Sequence, residues 1–266
     1  MKTCRLYLRS MKMLMKCQFE YPVSFFLQTL AQLIMEGGEM MAVILIIDRF
    51  DRVNQWEAGD LFFFFGMMSV TFYLTECFGR GITGNFPSLI RTGQMDTLLL
   101  RPRGVLTQVL CSAADPRRIT CIAVGTASLV IGCRLAQVQW TALKALAMTE
   151  AVLCGIILIL ALFMIEAIFC IYSVKSVELV NALSYGGRSA CEYPIDIYPR
   201  PLRILFTAVA PFALVLHAPS AYILGKPLHG WPGWTAFLCP LAGIVFFAAV
   251  YAFFQKAMRY YRSTGS

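Results

Sequence analysis

Apolar residues along this chain gather into long blocks, and polar and basic residues fall in the short stretches between them. A helix needs about 20 predominantly apolar residues to cross the hydrocarbon of a bilayer. Residues 23–47, 61–78, 119–136, 147–173 and 236–254 answer to that pattern. The mixed stretch from 176 to 224 must hold one more crossing if the chain is to return to its starting side. One placement uses 203–224 as the fifth span and leaves 174–202 inside. The other uses 176–193 and makes 194–224 a partly buried re-entrant hairpin on the outer side. The pattern therefore predicts an all-α integral membrane protein with six transmembrane helices, forming a single transmembrane domain over residues 1–266.

Composition supports lipid as the solvent. Of the 266 residues 58% are hydrophobic and 14% charged, where soluble domains carry roughly 25% charge. The net charge of +8 could suggest nucleic acid, but the basic residues sit between apolar blocks and read as topology, and no nucleic acid is expected as a partner. With both termini inside, most lysines and arginines fall on the inner side under either placement of span five, as cytoplasmic loops require. Trp56, Trp140, Trp231 and Trp234 all fall at the predicted outer ends of spans. The first apolar block is too long for a cleaved signal sequence and is expected to remain as a span.

Before that block, Lys2, Arg5, Arg9, Lys12 and Lys16 recur every three or four residues. On a helix they form one basic stripe. Residues 1–20 are expected to lie as an interfacial helix against anionic lipid, in preference to acting only as a basic topogenic tail.

Ten cysteines with no C-x-x-C pair, and only two histidines, argue against a disulfide framework or a metal centre. Most of the cysteines lie in apolar stretches, where they behave as small hydrophobes. His217, close to Pro219, reads as a packing contact within the hairpin.

Carboxylates inside the spans carry more information. Glu36 and Glu39 sit near the middle of span one, Glu76 near the inner end of span two and Glu166 within span four. Two charged acids at mid-bilayer cost about 5–7 kcal/mol, and the apolar residues of span one return about 4–7. The terms nearly cancel, so span one should turn its Glu36/Glu39 side toward protein or a wet cavity. Glu36, Glu39 and Glu166 are candidates for a substrate path; the plainer reading is structural pairing, such as Glu76 with Arg80 one turn later.

The longest inner loop reads G-I-T-G-N-F-P-S-L-I-R-T-G-Q-M-D-T-L-L-L-R-P from Gly81 to Pro102. Gly84 and Pro87 can stop the preceding span and start a short helix. On it Phe86, Leu89 and Ile90 offer an apolar face, with Arg91 and Asp96 at polar positions and a turn at Gly93. Such a helix can dock into a groove on another protein or rest on lipid; composition does not separate the two. No G-x-x-x-x-G-K-[ST] string occurs, so no phosphate cradle is encoded.

The element G-x-F-x-x-L-I-R-x-G-x-M-D-x-L-L-L-R-P over 84–102 resembles the coupling region of type-2 ABC exporter permeases, especially an uncharacterised bacterial subfamily with the L-L-L-R-P ending. A second stretch is similar to the fifth span and outer hairpin of that fold: Glu178-Leu179-Val180-Asn181-Ala182, Tyr185-Gly186-Gly187, Tyr193-Pro194, Ile197-Tyr198-Pro199, Leu202-Arg203, Pro211 and Pro219. The resemblance implies the second placement of span five and a re-entrant hairpin at 194–224. It implies a non-enzymatic permease subunit in a bacterial plasma membrane, multi-pass, with both termini cytoplasmic. A separate ABC ATPase subunit would bind ATP and Mg, and this chain would bind no cofactor. Phe86, Leu89, Ile90, Arg91, Asp96, Leu99 and Arg101 would couple to that subunit. A second permease would complete the path, a heterodimer being favoured over a homodimer. One departure is Asp115-Pro116-Arg117-Arg118, where the proline implies a break before span three. A secondary transporter or channel using the intramembrane carboxylates is the rival reading, and a membrane enzyme a third, without a nucleophile or metal spacing to support it.

Overall fold

The computed structural model describes residues 2–50, 55–102, 104–113, 115–172, 177–226 and 232–261. Every extended element among them is helical. The N-terminal helix α1 (Lys2–Phe19) runs into the 29-residue α2 (Pro22–Phe50). Arg9, Lys12 and Lys16 of the basic stripe are exposed on α1, while the side chains of Lys2 and Arg5 lie outside the described set. The Tyr7 hydroxyl of α1 donates to the carbonyl of Phe78 (3.1 Å), a residue of the third long helix described below.

Helix α3 (Ala58–Arg80) opens on a capping box, in which the Glu57 amide donates to Asp60 Oδ2 at 2.9 Å and the Glu57 carboxylate takes an amide of the first turn. These bonds satisfy donors that a helix start leaves open. At its far end α3 does not stop. It passes through a π-helical turn (Gly81–Asn85) into α4 (Phe86–Arg91), so that 34 residues form one continuous helix. The expected stop at Gly84 and Pro87 is thus absent. Proline lacks an amide hydrogen and clashes with the carbonyl four residues back, and the wider π turn just before Pro87 absorbs that conflict without ending the helix.

Short helices α5 (Gln94–Leu99) and α6 (Val105–Leu110) follow. The turn between α4 and α5 depends on Gly93, whose φ of 69° suits glycine and few other residues. Asp115 begins the return: its amide donates to the Cys77 carbonyl (3.3 Å), and a 3-10 turn (Pro116–Arg118) leads into α7 (Ile119–Leu135). The break expected at Pro116 is therefore present.

Helices α3 and α7 pack closely, and glycine makes this possible. A Cβ on Gly66 would stand 2.5 Å from the Leu129 amide nitrogen, and one on Gly132 would stand 2.5 Å from that of Phe63. The Ser128 hydroxyl donates to the Phe62 carbonyl (2.9 Å) across the same seam. Small residues and hydroxyl bonds of this kind bring helices together where lipid removes the hydrophobic driving force.

The 31-residue α8 (Ala142–Tyr172) then packs against α3 and against α13 (Leu241–Tyr260), and α9 (Val177–Cys191) lies beside α8. Between α9 and α13 the chain forms two limbs. The first joins α10 (Arg200–Ile204) to a π turn (Leu205–Val209), and the second joins another π turn (Ala213–His217) to α11 (Ala218–Leu224). The limbs meet at 87° around Ala210 and Pro211. Short α12 (Thr235–Leu238) precedes α13.

Among the described residues three helical stretches are long and apolar enough to cross a membrane, Ala58–Arg91, Ala142–Tyr172 and Thr235–Tyr260; the bent pair would make a fourth if counted as one span. Helix α7, at 17 residues, is apolar but shorter. Of the six spans expected from the sequence, three meet this measure among the described residues. Of the tryptophans, Trp140 and Trp234 are exposed, whereas Trp56 is fully buried and stands edge-on to Phe64 at 5.1 Å; Trp231 lies outside the described residues. His217 stacks on Phe64 (5.1 Å) and lies 5.6 Å from Trp56, which makes it the hairpin contact its position suggested.

Candidate functional site: a charged cavity between α2, α3, α7 and α9

Helix α9 carries Asn181, Tyr185, Arg188 and Glu192 at intervals of four, three and four, which puts all four on one face. That face meets the acidic side of α2 and the polar side of α3. Arg188, only 7% exposed, is the hub. Its Nη2 donates to Glu36 Oε2 at 2.9 Å and to Glu39 Oε2 at 2.5 Å, and Glu192 Oε1 lies 2.9 Å from the same nitrogen. Glu36 also accepts hydrogen bonds from the Ser69 hydroxyl (2.8 Å) and the Tyr73 hydroxyl (2.5 Å). The Arg188 guanidinium lies 4.6 Å above the Tyr73 ring. Buried charge persists when it is paired and hydrogen-bonded, and Glu36 meets both conditions.

A second network lies at the α4–α6 end of the bundle. The fully buried Glu76 accepts hydrogen bonds from Arg80 Nη1 (3.0 Å) and the Tyr185 hydroxyl (2.7 Å), and Arg118 Nε stands 2.9 Å from its other oxygen as an ion pair. Asp115 receives a two-pronged bond from Arg117 (2.6 and 3.0 Å) and has Arg118 and Arg80 within 3.8 Å. Burial opposes the ionisation of Asp115, but the Arg117 bonds and the charges of Arg117, Arg118 and Arg80 outweigh it and hold its carboxyl below the ordinary value of 3.8. The pairing of Glu76 with Arg80 suggested by the sequence is present, and Arg118 joins it.

Between the two networks lies a cavity of about 310 Å³, bounded by Glu39, Phe72, Glu76, Arg118, Tyr185 and Arg188 among others. Ligand pockets begin at about this size. Tyr185 also borders a second hollow, which opens toward Arg80, Gly84 and Asn181. Glu166 stands apart: it is 2% exposed on α8, and the Asn181 amide, in its better orientation, donates to both of its oxygens at 2.8 and 3.2 Å.

The sequence of residues 33–265 matches the family described as ABC-2 family transporter protein. The chain belongs to the ABC-2 transporter family. No curated protein and no solved structure shows a significant match to it.

In this ABC-2 permease the residues marked by the sequence divide into three groups. Glu36 and Glu39 come together on Arg188 while Glu166 does not join them. Phe86 and Ile90 were expected on an exposed apolar face; both are instead buried, and Phe86 sits 6.0 Å from Phe254 of α13. The unbroken helix explains the difference, because without a stop at Gly84 the register of α3 carries through and turns that face into the bundle. Leu89 packs partly against the same core. Asp96 is half-buried beside Tyr261, and burial followed by the Asp96 charge pushes the Tyr261 hydroxyl above its ordinary value. Arg91, Leu99, Leu100 and Arg101 remain exposed, Leu100 at 86%.

Arg188, Tyr73, Tyr185, Arg118 and Glu192 were missed by sequence reasoning. The signal was there for α9, since these polar residues keep to one helical face. Tyr73 and Arg118 carried no such signal, because they lie in different segments and meet only through the packing of α3 on α7.

Proposed function

We propose that this chain is the membrane-spanning subunit of an ATP-driven exporter, driven by a separate ABC ATPase subunit that binds ATP and Mg. The family membership over residues 33–265 carries this reading. In it α2, the rod 58–91, α7, α8, α9 and α13 are six crossings, and 194–224 is a hairpin entering from the outer face. The bend of 87° between its limbs and the burial of His217 against α3 support that placement. Both termini then lie in the cytoplasm of a bacterial cell, with α1 on the inner lipid surface.

The surface that receives the ATPase is the exposed part of the 84–102 region: Arg91, Leu99, Leu100 and Arg101, with Asp96 at its edge. A leucine as exposed as Leu100 on a short helix rimmed by arginines suits a protein groove. Phe86, Leu89 and Ile90 serve the same coupling from the other side, by fastening the segment to α13 and the core. A second permease, preferably an unlike one, completes the translocation path; Glu39 borders it, while Glu36 and Glu166 stand behind it inside the bundle.

The test is co-purification with an ABC ATPase subunit from the same cell. Replacing Leu99 and Leu100 by Asp should abolish co-elution and coupled ATP hydrolysis while the melting temperature of the chain stays put. Undiminished association, or full transport by the isolated chain under a proton gradient, overturns the proposal; the latter result favours a secondary transporter working through the buried carboxylates.

A further inference from the structure

Hydrogen bonding around Arg188 is uneven. Nη2 carries two hydrogens, and Glu36 and Glu39 take both. Glu192 Oε1, in a side chain 5% exposed and 2.9 Å from the same nitrogen, is left without any hydrogen bond. Arg188 Nε is also buried with no acceptor. Three carboxylates thus lean on one guanidinium, and one of them is short of a hydrogen. A buried, unsatisfied charged acceptor is costly.

Of the three carboxylates only Glu39 reaches the cavity, where its side chain is 37% exposed. The other cationic group on the wall, Arg118, is matched by Glu76 and Asp115. The excess of charge on the α2–α9 side is therefore negative, three acids to one base. Phe72 and Tyr185, 5.3 Å apart and edge to face, line the cavity near it.

We propose that this cavity binds an organic cation: an ammonium head on Glu39 and an apolar body against Phe72 and Tyr185. The head draws Glu39 away from Arg188, and the hydrogen released from Nη2 passes to Glu192 Oε1. One ion pair is exchanged for another, and the waiting acceptor is satisfied in the same step. The excess negative charge on this side falls by one, which is how a site in the middle of a membrane can take up a cation without a large desolvation cost. Aromatic faces stabilise ammonium groups further. This assignment names the substrate class for the transport reading above and rests on it, but binding is measurable on the chain alone, without the ATPase.

The full chain is reconstituted in nanodiscs of zwitterionic lipid, and binding of benzyltrimethylammonium, benzyl alcohol and benzenesulfonate is followed by equilibrium dialysis. The cation should bind saturably and the neutral and anionic probes should not. Glu39→Gln should weaken the cation by about tenfold or more. Glu192→Gln should weaken it several-fold, although Glu192 does not border the cavity, because the charge that draws the released hydrogen is gone. Equal binding of the neutral probe, or wild-type affinity in Glu39→Gln, overturns the site. Wild-type affinity in Glu192→Gln overturns the exchange. Failure here with intact ATPase coupling would leave the permease assignment standing, and loss of coupling with intact cation binding would do the reverse.

Discussion

Replacing Arg188 by Met tests whether the buried network stands on one guanidinium. Methionine fills similar volume and removes the charge, so Glu36, Glu39 and Glu192 lose their common partner. Glu36 keeps the Ser69 and Tyr73 hydroxyls, whereas Glu192 keeps nothing. The least costly remedy is to neutralise one further carboxylate. At pH 7 that costs about 4 kcal/mol, from about 1.4 kcal/mol per pH unit over the nearly three units above the ordinary glutamate value. Removing one partner of a buried ion pair costs about 3–5 kcal/mol by a separate route, so the two figures agree. Unfolding of the chain in mixed micelles, followed by tryptophan fluorescence, reads the difference. The loss should be about 4 kcal/mol at pH 7 and should shrink by about 1.4 kcal/mol for each pH unit of acidification. Combining the change with Glu192→Gln should restore much of the loss at neutral pH. A single variant within about 1 kcal/mol of wild type at pH 7, less than the smallest effect of breaking a buried pair, would refute the reasoning. So would a penalty that does not respond to pH.

The seam between α3 and α7 makes a second prediction: Gly66→Ala and Gly132→Ala should each cost about 1–3 kcal/mol by overpacking, while Gly186→Ala, with open space around it, should be neutral or slightly stabilising by the same micelle assay. Phe86→Ala should destabilise by about 3–5 kcal/mol through the cavity it leaves, a loss that a purely surface role for Phe86 would not produce. Asp115 has a lowered carboxyl in the folded chain, so its contribution is present above the unfolded value near 3.8 and disappears as pH falls through the lower folded value. The melting temperature of Asp115→Asn should therefore lie below wild type at neutral pH, with the gap closing only below pH 3.8; a gap that closes between pH 7 and 5 would contradict the assignment.

Much of the architecture was legible because long apolar blocks admit few alternatives. The inward turn of α2 followed from the cost of Glu36 and Glu39 in lipid, and the structure places Glu36 against Ser69, Tyr73 and Arg188. The break at Pro116 and the turn at Gly93 followed from backbone chemistry alone. The rule that proline ends helices misled at Pro87, because it takes no account of a π turn placed just before the ring. From that single misreading came the exposed face assigned to Phe86 and Ile90, two of the seven residues named for coupling. The burial of Trp56 was not legible, because hydropathy gives depth along a span but not which side chains, here Phe64 and His217, pack over the ring.

The helix that begins at the Glu57 cap and ends at Arg91 is about 50 Å long at 1.5 Å per residue, against a hydrocarbon layer of about 30 Å. Some 20 Å of the same rigid strut therefore stands clear of the lipid tails. Its first tip holds the Trp56–Phe64–His217 stack, and its last tip leads into the segment bearing Leu99 and Leu100. Because the helix runs on through its π turn, a sideways displacement at one tip would be delivered as tilt at the other, and in the exporter reading proposed above the hairpin would open by leverage alone.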